Sequence, residues 1–170
     1  MQTTPTQRAD TDAKSSAIAL LIEDHDSVNR LFQQFENLKQ EINADTDKQQ
    51  IVRQICQELT LHTQAEEEVF YPAVRAAIAE QELMDDAEME HMRAKQLIAQ
   101  LENMSPTDEY YDARVSILKE YVNHHVREEQ DQMFPRARKV NLDLQALGEQ
   151  ILSFKKAWEK DSNTRNPRTG

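Results

Sequence analysis

The sequence of 170 residues has few of the residues on which several common kinds of site depend. It contains only two glycines, Gly148 and Gly170, so it cannot form the glycine-rich loops that bind phosphate in many ATP and NAD sites. Its single cysteine, Cys56, excludes an intramolecular disulfide framework and is typical of a protein in the reducing cytoplasm. Any chemistry in this chain must therefore depend on histidine and carboxylate side chains.

Basic charge and long apolar runs are also scarce. The 31 Asp and Glu residues outnumber 20 Lys and Arg residues, and the formal net charge of −11 would repel both nucleic acid and anionic membranes. No apolar run approaches the ~20 residues that a membrane-spanning helix requires, and residues 1–16 lack the apolar centre of a secretory signal. The sequence therefore predicts a cytoplasmic protein that binds neither nucleic acid nor membranes, and it identifies no protein partner.

The composition that is present favours helices. Hydrophobic residues make up 38% of the chain and charged residues 30%, with Glu, Gln, Ala, Leu and Lys abundant, which predicts an all-α fold. A chain of this length usually forms one domain. Residues 1–15 and 161–170 are polar and lack apolar periodicity, which predicts disordered tails on either side of one domain at 16–160.

Apolar residues recur at helical spacing along four long segments. The first predicted helix runs from Ser16 to about Glu41. The second begins at Asp45 or Thr46, where a short polar side chain can cap it, and the third begins at about Leu83. Because the loops between them are short and polar, the helices are expected to form an up-down-up-down four-helix bundle.

Proline punctuates the second half of the chain. Ser105 and Pro106 predict the start of the fourth helix, with serine as its cap and proline in its first turn. Pro72 and Pro135, which fall inside predicted helices, are expected to kink or end them. A short extra C-terminal helix is predicted from about Asp143 to Trp158, where it would cover the bundle.

Polar residues interrupt the apolar stripe of each long helix, and the interruptions repeat. Residues 61–75 align without a gap on residues 124–138, and the first helix resembles the third in the same way. The repeat matches His62 with His125, Glu66 with Glu129, Pro72 with Pro135, and His25 with His91. The chain therefore consists of a helix pair used twice, and the interrupting side chains point into the bundle core.

Histidine and glutamate at this spacing can bind metal. In each His-x-x-x-Glu pair the two side chains share one helix face, at ~5–6 Å between their Cβ atoms. Antiparallel packing would bring both pairs and both single histidines to the same level of the core, where helical bundles hold metal ions. Imidazole and carboxylate without thiolate favour iron, manganese or zinc. The candidate metal ligands are His25, His62, Glu66, His91, His125 and Glu129.

These motifs resemble the hemerythrin-like, or HHE cation-binding, domain family. The order of the six ligands matches, as do the endings Phe70-Tyr71-Pro72 and Phe134-Pro135, and the resemblance covers about Ile18 to Val140. It implies two iron ions, with Glu66 and Glu129 bridging them beside an oxo or hydroxo group. The six residues then supply eight donor atoms and the bridging oxygen fills two further positions, so about two of roughly twelve positions stay open on an octahedral iron pair, which implies a small diatomic or peroxide ligand.

The sequence departs from the oxygen-carrying hemerythrins, which resemble this plan but use a His-x-x-x-His pair on the third helix and an aspartate late on the fourth. The residue four positions after His91 is Lys95, so the fifth histidine is missing here. Reversible oxygen carriage is therefore not predicted. Five residues are weak candidates for a seventh ligand, and the two acids among them can alternatively orient imidazoles, although such acids are more often simply exposed. The five are His124, Tyr121, Glu90, Asp24 and Tyr111.

Several functions are compatible with such a centre. Binding of oxygen, peroxide or nitric oxide would serve sensing, stress response or iron handling. An enzyme that decomposes peroxide or oxidises ferrous iron is the first alternative, and a structural bundle with zinc or without metal is the second. A ferritin-like di-iron site is disfavoured, because Glu88-x-x-His91 has no second copy and both repeated pairs place His before Glu.

Overall fold

The computed structural model describes residues 14–165, and all regular secondary structure in that range is helical. The helical bundle confirms the predicted fold class. Residues 1–13 and 166–170, which belong to the two predicted disordered tails, lie outside the described residues. Within the described residues, no helix is long and apolar enough to cross a membrane.

Four long helices form the bundle, and a fifth packs against it. The first is α1 (Ala17–Leu38). The second comprises α2 (Asp45–Ala65), a π-helical turn (Glu66–Phe70) and α3 (Tyr71–Ala77). The third is α4 (Gln81–Glu102), and the fourth comprises α5 (Tyr111–Glu128), a second π-helical turn (Glu129–Met133) and α6 (Phe134–Lys139). The C-terminal helix is α7 (Leu144–Arg165).

The two prolines widen their helices instead of ending them. In each case the π turn begins at the predicted glutamate ligand and closes with a hydrogen bond to its carbonyl, donated by Tyr71 in one half and Phe134 in the other. Proline follows directly and lacks the N–H that an α-helix would use at that position. Single π turns are often found at functional sites, and here both accompany candidate metal ligands.

The fourth and fifth helices differ from the predicted bounds. The predicted capping of a helix by Ser105 is wrong, because the segment after it forms a turn in which the Asp108 N–H donates to the Ser105 carbonyl at 2.9 Å. Such local hydrogen bonds compete with helix formation. The fourth helix begins only at Tyr111, after Tyr110 adopts a left-handed conformation with φ of 69°. The C-terminal helix is not short, since it extends to Arg165.

Two apolar clusters divide the bundle core along its length. One contains Leu21, Ala65 and Phe134 together with residues of α7, and the other contains Val28, Leu59 and Leu118. All six candidate ligands are buried, and they lie in sequence between members of the two clusters. The core therefore consists of an apolar layer, a layer of histidine and glutamate, and a second apolar layer.

Candidate metal centre

The structure brings all six predicted ligands together. Their donor atoms fall into two groups in which the atoms lie within 4.8 Å of one another. One group contains His25, His62, Glu66 and Glu129, and the other contains Glu66, His91 and His125. Because Glu66 belongs to both groups, the arrangement can hold two neighbouring cations.

The two carboxylates lie between the histidines of both halves. The Glu66 Oε2 atom is 3.3 Å from His62 Nε2 and 3.1 Å from His91 Nε2. The Glu129 carboxylate uses both of its oxygens, with Oε2 3.2 Å from His25 Nε2 and Oε1 3.4 Å from His125 Nε2. Each glutamate therefore contacts one histidine from each group.

Several of these polar atoms have no hydrogen-bond partner among the described residues. They are His25 Nε2, His62 Nε2, both oxygens of Glu66, and Glu129 Oε2. Glu66 is 0% exposed and Glu129 is 1% exposed, so water does not reach their oxygens freely. A buried carboxylate without hydrogen bonds is costly by several kcal/mol, and coordination of a cation would satisfy it. The donor set thus fits a metal centre.

Outer carboxylates orient the two repeated histidines. Asp24 Oδ2 is 2.9 Å from His62 Nδ1, and Glu90 Oε2 is 2.6 Å from His125 Nδ1. Asp24 and Glu90 occupy equivalent positions in the repeat, and each serves a histidine on a neighbouring helix. Such contacts fix the tautomer in which Nδ1 carries the proton, so that Nε2 presents its lone pair to the centre.

The two single histidines have different outer partners. Glu67 Oε1 is 2.9 Å from His91 Nδ1, whereas the equivalent position in the other half holds Gln130, whose Nε2 is 3.2 Å from His25 Nδ1. Lys95, which replaces the histidine of the oxygen carriers, donates to Glu67 at 2.6 Å. The halves are therefore alike in their histidines and unlike in the charge that surrounds them.

Tyr71 is a site residue that the sequence analysis missed as a candidate. Its hydroxyl donates to Glu129 Oε1 at 2.7 Å and lies 3.1 Å from His91 Nε2 and 3.3 Å from His125 Nε2. In an α-helix a residue five positions after Glu66 would point about 140° away from it. The π turn brings Tyr71 onto the helix face of Glu66. In the sequence, only Pro72 and the repeat indicated a change in the helix at this point.

The predicted candidates for a seventh ligand all lie outside the cluster of Nε2 and carboxylate atoms. Asp24 and Glu90 contact Nδ1 atoms on its outer side. His124 is 57% exposed in its side chain and contacts Glu90 at 3.2 Å, and Tyr121 is exposed as well. Tyr111 belongs to the apolar cluster around Cys56. None of the five side chains therefore contacts these Nε2 and carboxylate atoms as the Tyr71 hydroxyl does.

Neighbouring charges at the centre favour the protonated form of three candidate histidines when no metal is bound. Burial lowers the pKa of His62, His91 and His125, but the neighbouring carboxylates outweigh it and leave each pKa raised. Burial raises the pKa of Glu66 and Glu129, but the histidines around them leave both lowered. A cation that binds here would therefore displace protons from imidazoles.

A small cavity and a larger groove meet beside the centre. The cavity, of about 30 Å³, is lined by all four candidate histidines together with Leu59 and Val122. The groove, of about 620 Å³, runs between α1 and α5 and is lined by polar residues that include Asn29 and Gln130. His25 and Val122 line both spaces. A small molecule that enters by the groove would meet the centre at His25.

Comparison with known proteins agrees with this geometry. A protein of Nostoc sp. (strain PCC 7120 / SAG 25.82 / UTEX 2576) named DNA nickase is 36% identical over 140 residues, which is 81% of this chain. The match spans only 37% of the length of that relative. The crystal structure of a hemerythrin HHE cation-binding domain-containing protein from Mycobacterium kansasii shares the fold, with a TM-score of 0.73 and 20% identity, over 91% of this chain and 94% of that one.

The sequence profile of the hemerythrin HHE cation-binding domain matches residues 16–137. This range contains α1 to α5, the whole second π turn and all six candidate ligands. The His and Glu side chains that the sequence repeat indicates, and that the fold gathers in one buried layer, are thus set in a domain that binds metal cations. The chain belongs to the hemerythrin HHE cation-binding domain family.

Proposed function

We propose that the domain holds a di-iron centre that binds a small molecule such as oxygen, peroxide or nitric oxide. Glu66 and Glu129 would hold both irons, and the histidines would complete the donor set in two pairs, His25 with His62 and His91 with His125. The observation that carries this proposal is the pair of donor groups that share Glu66, which has no hydrogen-bond partner among the described residues. Sensing, stress response or iron handling in the cytoplasm would be its use.

Iron fits the donor chemistry better than zinc. A structural zinc ion takes four ligands in a closed tetrahedron, whereas this layer offers four imidazoles, two carboxylates and a phenol to two cations. Nitrogen and carboxylate donors with positions left open are typical of redox-active iron. When bound, the iron pair would supply the redox chemistry and the open coordination position. The protein's own side chains fix the imidazoles and exclude water.

We also propose Tyr71 as the seventh donor. Neighbouring ligands on one octahedral iron lie about 3 Å apart, because each sits about 2.1 Å from the metal. The Tyr71 oxygen is at such distances from His91 Nε2, His125 Nε2 and Glu129 Oε1. Phe134 has the equivalent position in the other half and stacks on His25 at 6.0 Å between ring centroids. The two irons would therefore differ by one oxygen ligand.

The cavity beside the histidines is the proposed place for the small molecule. Tyr71 and Phe134 belong to one apolar cluster, whereas Val28 and Leu59, which line the cavity, belong to the other. The cavity thus faces the histidine layer from the side opposite Tyr71. Its volume of about 30 Å³ is larger than the ~10–15 Å³ that a cavity needs to hold one water, so it suits a diatomic molecule or peroxide.

An anaerobic titration with Fe²⁺ tests the proposed centre. Metal-free protein is expected to bind two Fe²⁺ per chain, and azide added after oxidation in air is expected to shift the near-ultraviolet absorption. A titration that ends at one iron per chain, or a failure to bind Fe²⁺ at all, would contradict the proposal. An unchanged spectrum with azide would show that no position is open.

Peroxide decomposition is the second candidate function. In this case Tyr71 would keep its proton instead of binding iron: its hydroxyl, 2.7 Å from Glu129 Oε1, would be a buried proton donor near the iron pair, and general acids of this kind assist peroxide cleavage. Sustained oxygen evolution from peroxide, well above that of the same amount of free iron salt, would favour an enzyme. Evolution at the level of the free salt would favour ligand binding.

The name of the Nostoc relative, DNA nickase, raises the question whether this domain acts on nucleic acid. This chain spans 37% of that protein and carries a formal net charge of −11, which opposes contact with a phosphate backbone. We propose that this domain does not itself cut DNA. Iron-loaded protein incubated with supercoiled plasmid is expected to leave the plasmid intact, and the appearance of the relaxed form would overturn this point.

A further inference from the structure

The C-terminal helix α7 reaches the metal centre through one lysine. Lys155 Nζ donates to Asp24 Oδ2 at 2.6 Å, and the same carboxylate oxygen is 2.9 Å from His62 Nδ1. The side chains of Lys155 and Asp24 are 19% and 22% exposed, so the contact is largely shielded from water. An unbroken chain of polar contacts thus connects α7 with a candidate ligand.

A close approach of two helices sets the register of this contact. At Gly148 in α7, an added Cβ would clash with the carbonyl oxygen of Ser15 and lie 3.0 Å from the Ala17 nitrogen. Lys155 follows Gly148 by seven residues, and Asp24 follows Ala17 by seven. Seven residues are about two helical turns, or roughly 10 Å, on each helix. The two helices therefore run parallel, and the glycine contact places Lys155 beside Asp24.

A similar chain of contacts exists in the other half of the bundle. Lys95 donates to Glu67, and Glu67 contacts His91 Nδ1 at 2.9 Å. Lys95 belongs to α4 of the bundle itself, whereas Lys155 belongs to a helix that follows the matched range of 16–137. Each half thus has one histidine whose carboxylate partner is held by a lysine. On the His62 side, that lysine depends on the docking of α7.

We propose that Lys155 is a positioning residue of the metal centre, which fixes the His62 imidazole through Asp24 and thereby couples the docking of α7 to metal binding. This inference rests on the proposed metal centre. A lysine ammonium beside Asp24 restricts the carboxylate to one orientation, and the carboxylate in turn orients the imidazole. Outer partners of metal-bound histidines commonly change metal affinity by ~10–100-fold when they are removed.

The coupling must act in both directions. If docked α7 strengthens metal binding by some factor, then bound metal stabilises docked α7 by the same factor, because the two equilibria form one thermodynamic cycle. Metal loading is therefore expected to slow amide hydrogen exchange in residues 144–165. Removal of the lysine is expected to abolish that slowing while leaving most of the bundle protected.

Three variants test the proposal with Co²⁺ as the probe, since its visible absorption reports ligand geometry. Lys155→Met removes the charge and keeps the aliphatic stem, and Lys155→Arg keeps the charge. Lys156→Met is the matched control, because Lys156 is its exposed neighbour. Lys155→Met is expected to bind Co²⁺ about tenfold more weakly with an altered spectrum. Lys155→Arg is expected to restore most of the affinity, and Lys156→Met to match the wild type.

The outcomes separate this inference from the proposed function. If the wild type itself fails to bind Co²⁺ or Fe²⁺, the metal centre is wrong. If the wild type binds two ions and Lys155→Met has the same affinity, spectrum and metal-dependent exchange as Lys156→Met, only the positioning role is wrong. If Lys155→Met merely lowers the melting temperature, with Co²⁺ affinity and spectrum unchanged, Lys155 is structural and the inference is overturned.

Discussion

Tyr71 and Phe134 occupy the same position in the two halves of the sequence repeat, yet only Tyr71 carries a hydroxyl into the buried histidine and glutamate layer. That hydroxyl donates to Glu129 at 2.7 Å, whereas the Phe134 ring stacks on His25. The repeat makes the buried histidine and glutamate layer nearly symmetrical, and this oxygen adds a chemical difference between its two sides to the exchange of Glu67 for Gln130.

Replacement of the hydroxyl tests its role as a donor. Tyr71→Phe is expected to retain metal but to lose any visible phenolate-to-iron absorption of the ferric protein, because no other tyrosine contacts the six candidate ligands among the described residues. Tyr121→Phe, at an exposed tyrosine, is the control and should keep the absorption. A band that persists in Tyr71→Phe, or that is absent from the wild type, would contradict ligation by Tyr71.

The outer carboxylates provide a second test. Glu90→Gln removes the charge that faces His125 Nδ1 at 2.6 Å, so we expect metal affinity to fall by about 10–100-fold while the helical content stays unchanged. Glu88→Gln, two residues earlier and exposed beside Arg75, is the matched control and should bind as the wild type does. Equal affinities of the two variants by competition with a chelator would refute the orienting role of Glu90.

The stability of the metal-free protein is expected to depend on pH from both sides. His62, His91 and His125 have raised pKa values, so their stabilising contribution is complete below the ordinary value of 6.5 and is lost as pH rises through the folded values. Glu66 and Glu129 have lowered pKa values, so their stabilising contribution is complete above pH 4.5 and is lost as pH falls through the folded values.

The melting temperature of the metal-free protein should therefore be highest between pH 4.5 and pH 6.5, the ordinary pKa values of glutamate and histidine. Metal requires neutral imidazoles, so the increase in melting temperature on metal loading should be larger at about pH 8 than at about pH 5.5. Calorimetry of metal-free and loaded protein at both pH values measures the difference. An increase that is equal at the two, or larger at the lower pH, would show that metal does not replace protons on these histidines.

Gly148 predicts a packing effect away from the histidines. Gly148→Ala is expected to destabilise the protein by about 1–3 kcal/mol, because the added Cβ would clash with backbone at Ser15 and neither helix can yield cheaply. Thermal unfolding followed by circular dichroism measures the loss. Ala157→Ser, at an exposed position of the same helix, is a control of similar size change. A stabilised Gly148→Ala variant would mean that α7 does not approach α1 as closely as described.

The sequence was sufficient to predict the helical bundle and the gathering of the six candidate ligands. Both depend on local periodicity, since residues at i and i+4 share a helix face, and on a repeat that is visible in the chain. Tyr71 could not be found in this way, because its direction depends on a π turn. Lys155 could not be found either, because its contact with Asp24 depends on where α7 docks.

The start of the fourth helix shows a different limit. Ser105 and Pro106 form a valid helix-start pattern, and the Asp108 carboxylate accepts from the Ser105 N–H as it would at a helix start, yet the segment forms a turn. A helix start and a turn both satisfy the Ser105 N–H, so the sequence pattern alone does not decide between the helix and the turn. Asp24 and Glu90 were recognised as acids beside histidines, yet the histidines they contact lie on neighbouring helices.

The central claim is that two irons share the buried Glu66 carboxylate, and the metal content of the Glu66→Gln protein tests it most directly. Glu66 belongs to both donor groups, so its loss is expected to reduce iron from two per chain to below one, whereas Glu68→Gln, at an exposed neighbour, should retain both irons. Circular dichroism confirms that both variants are folded. Two irons per chain in folded Glu66→Gln would contradict the bridging carboxylate.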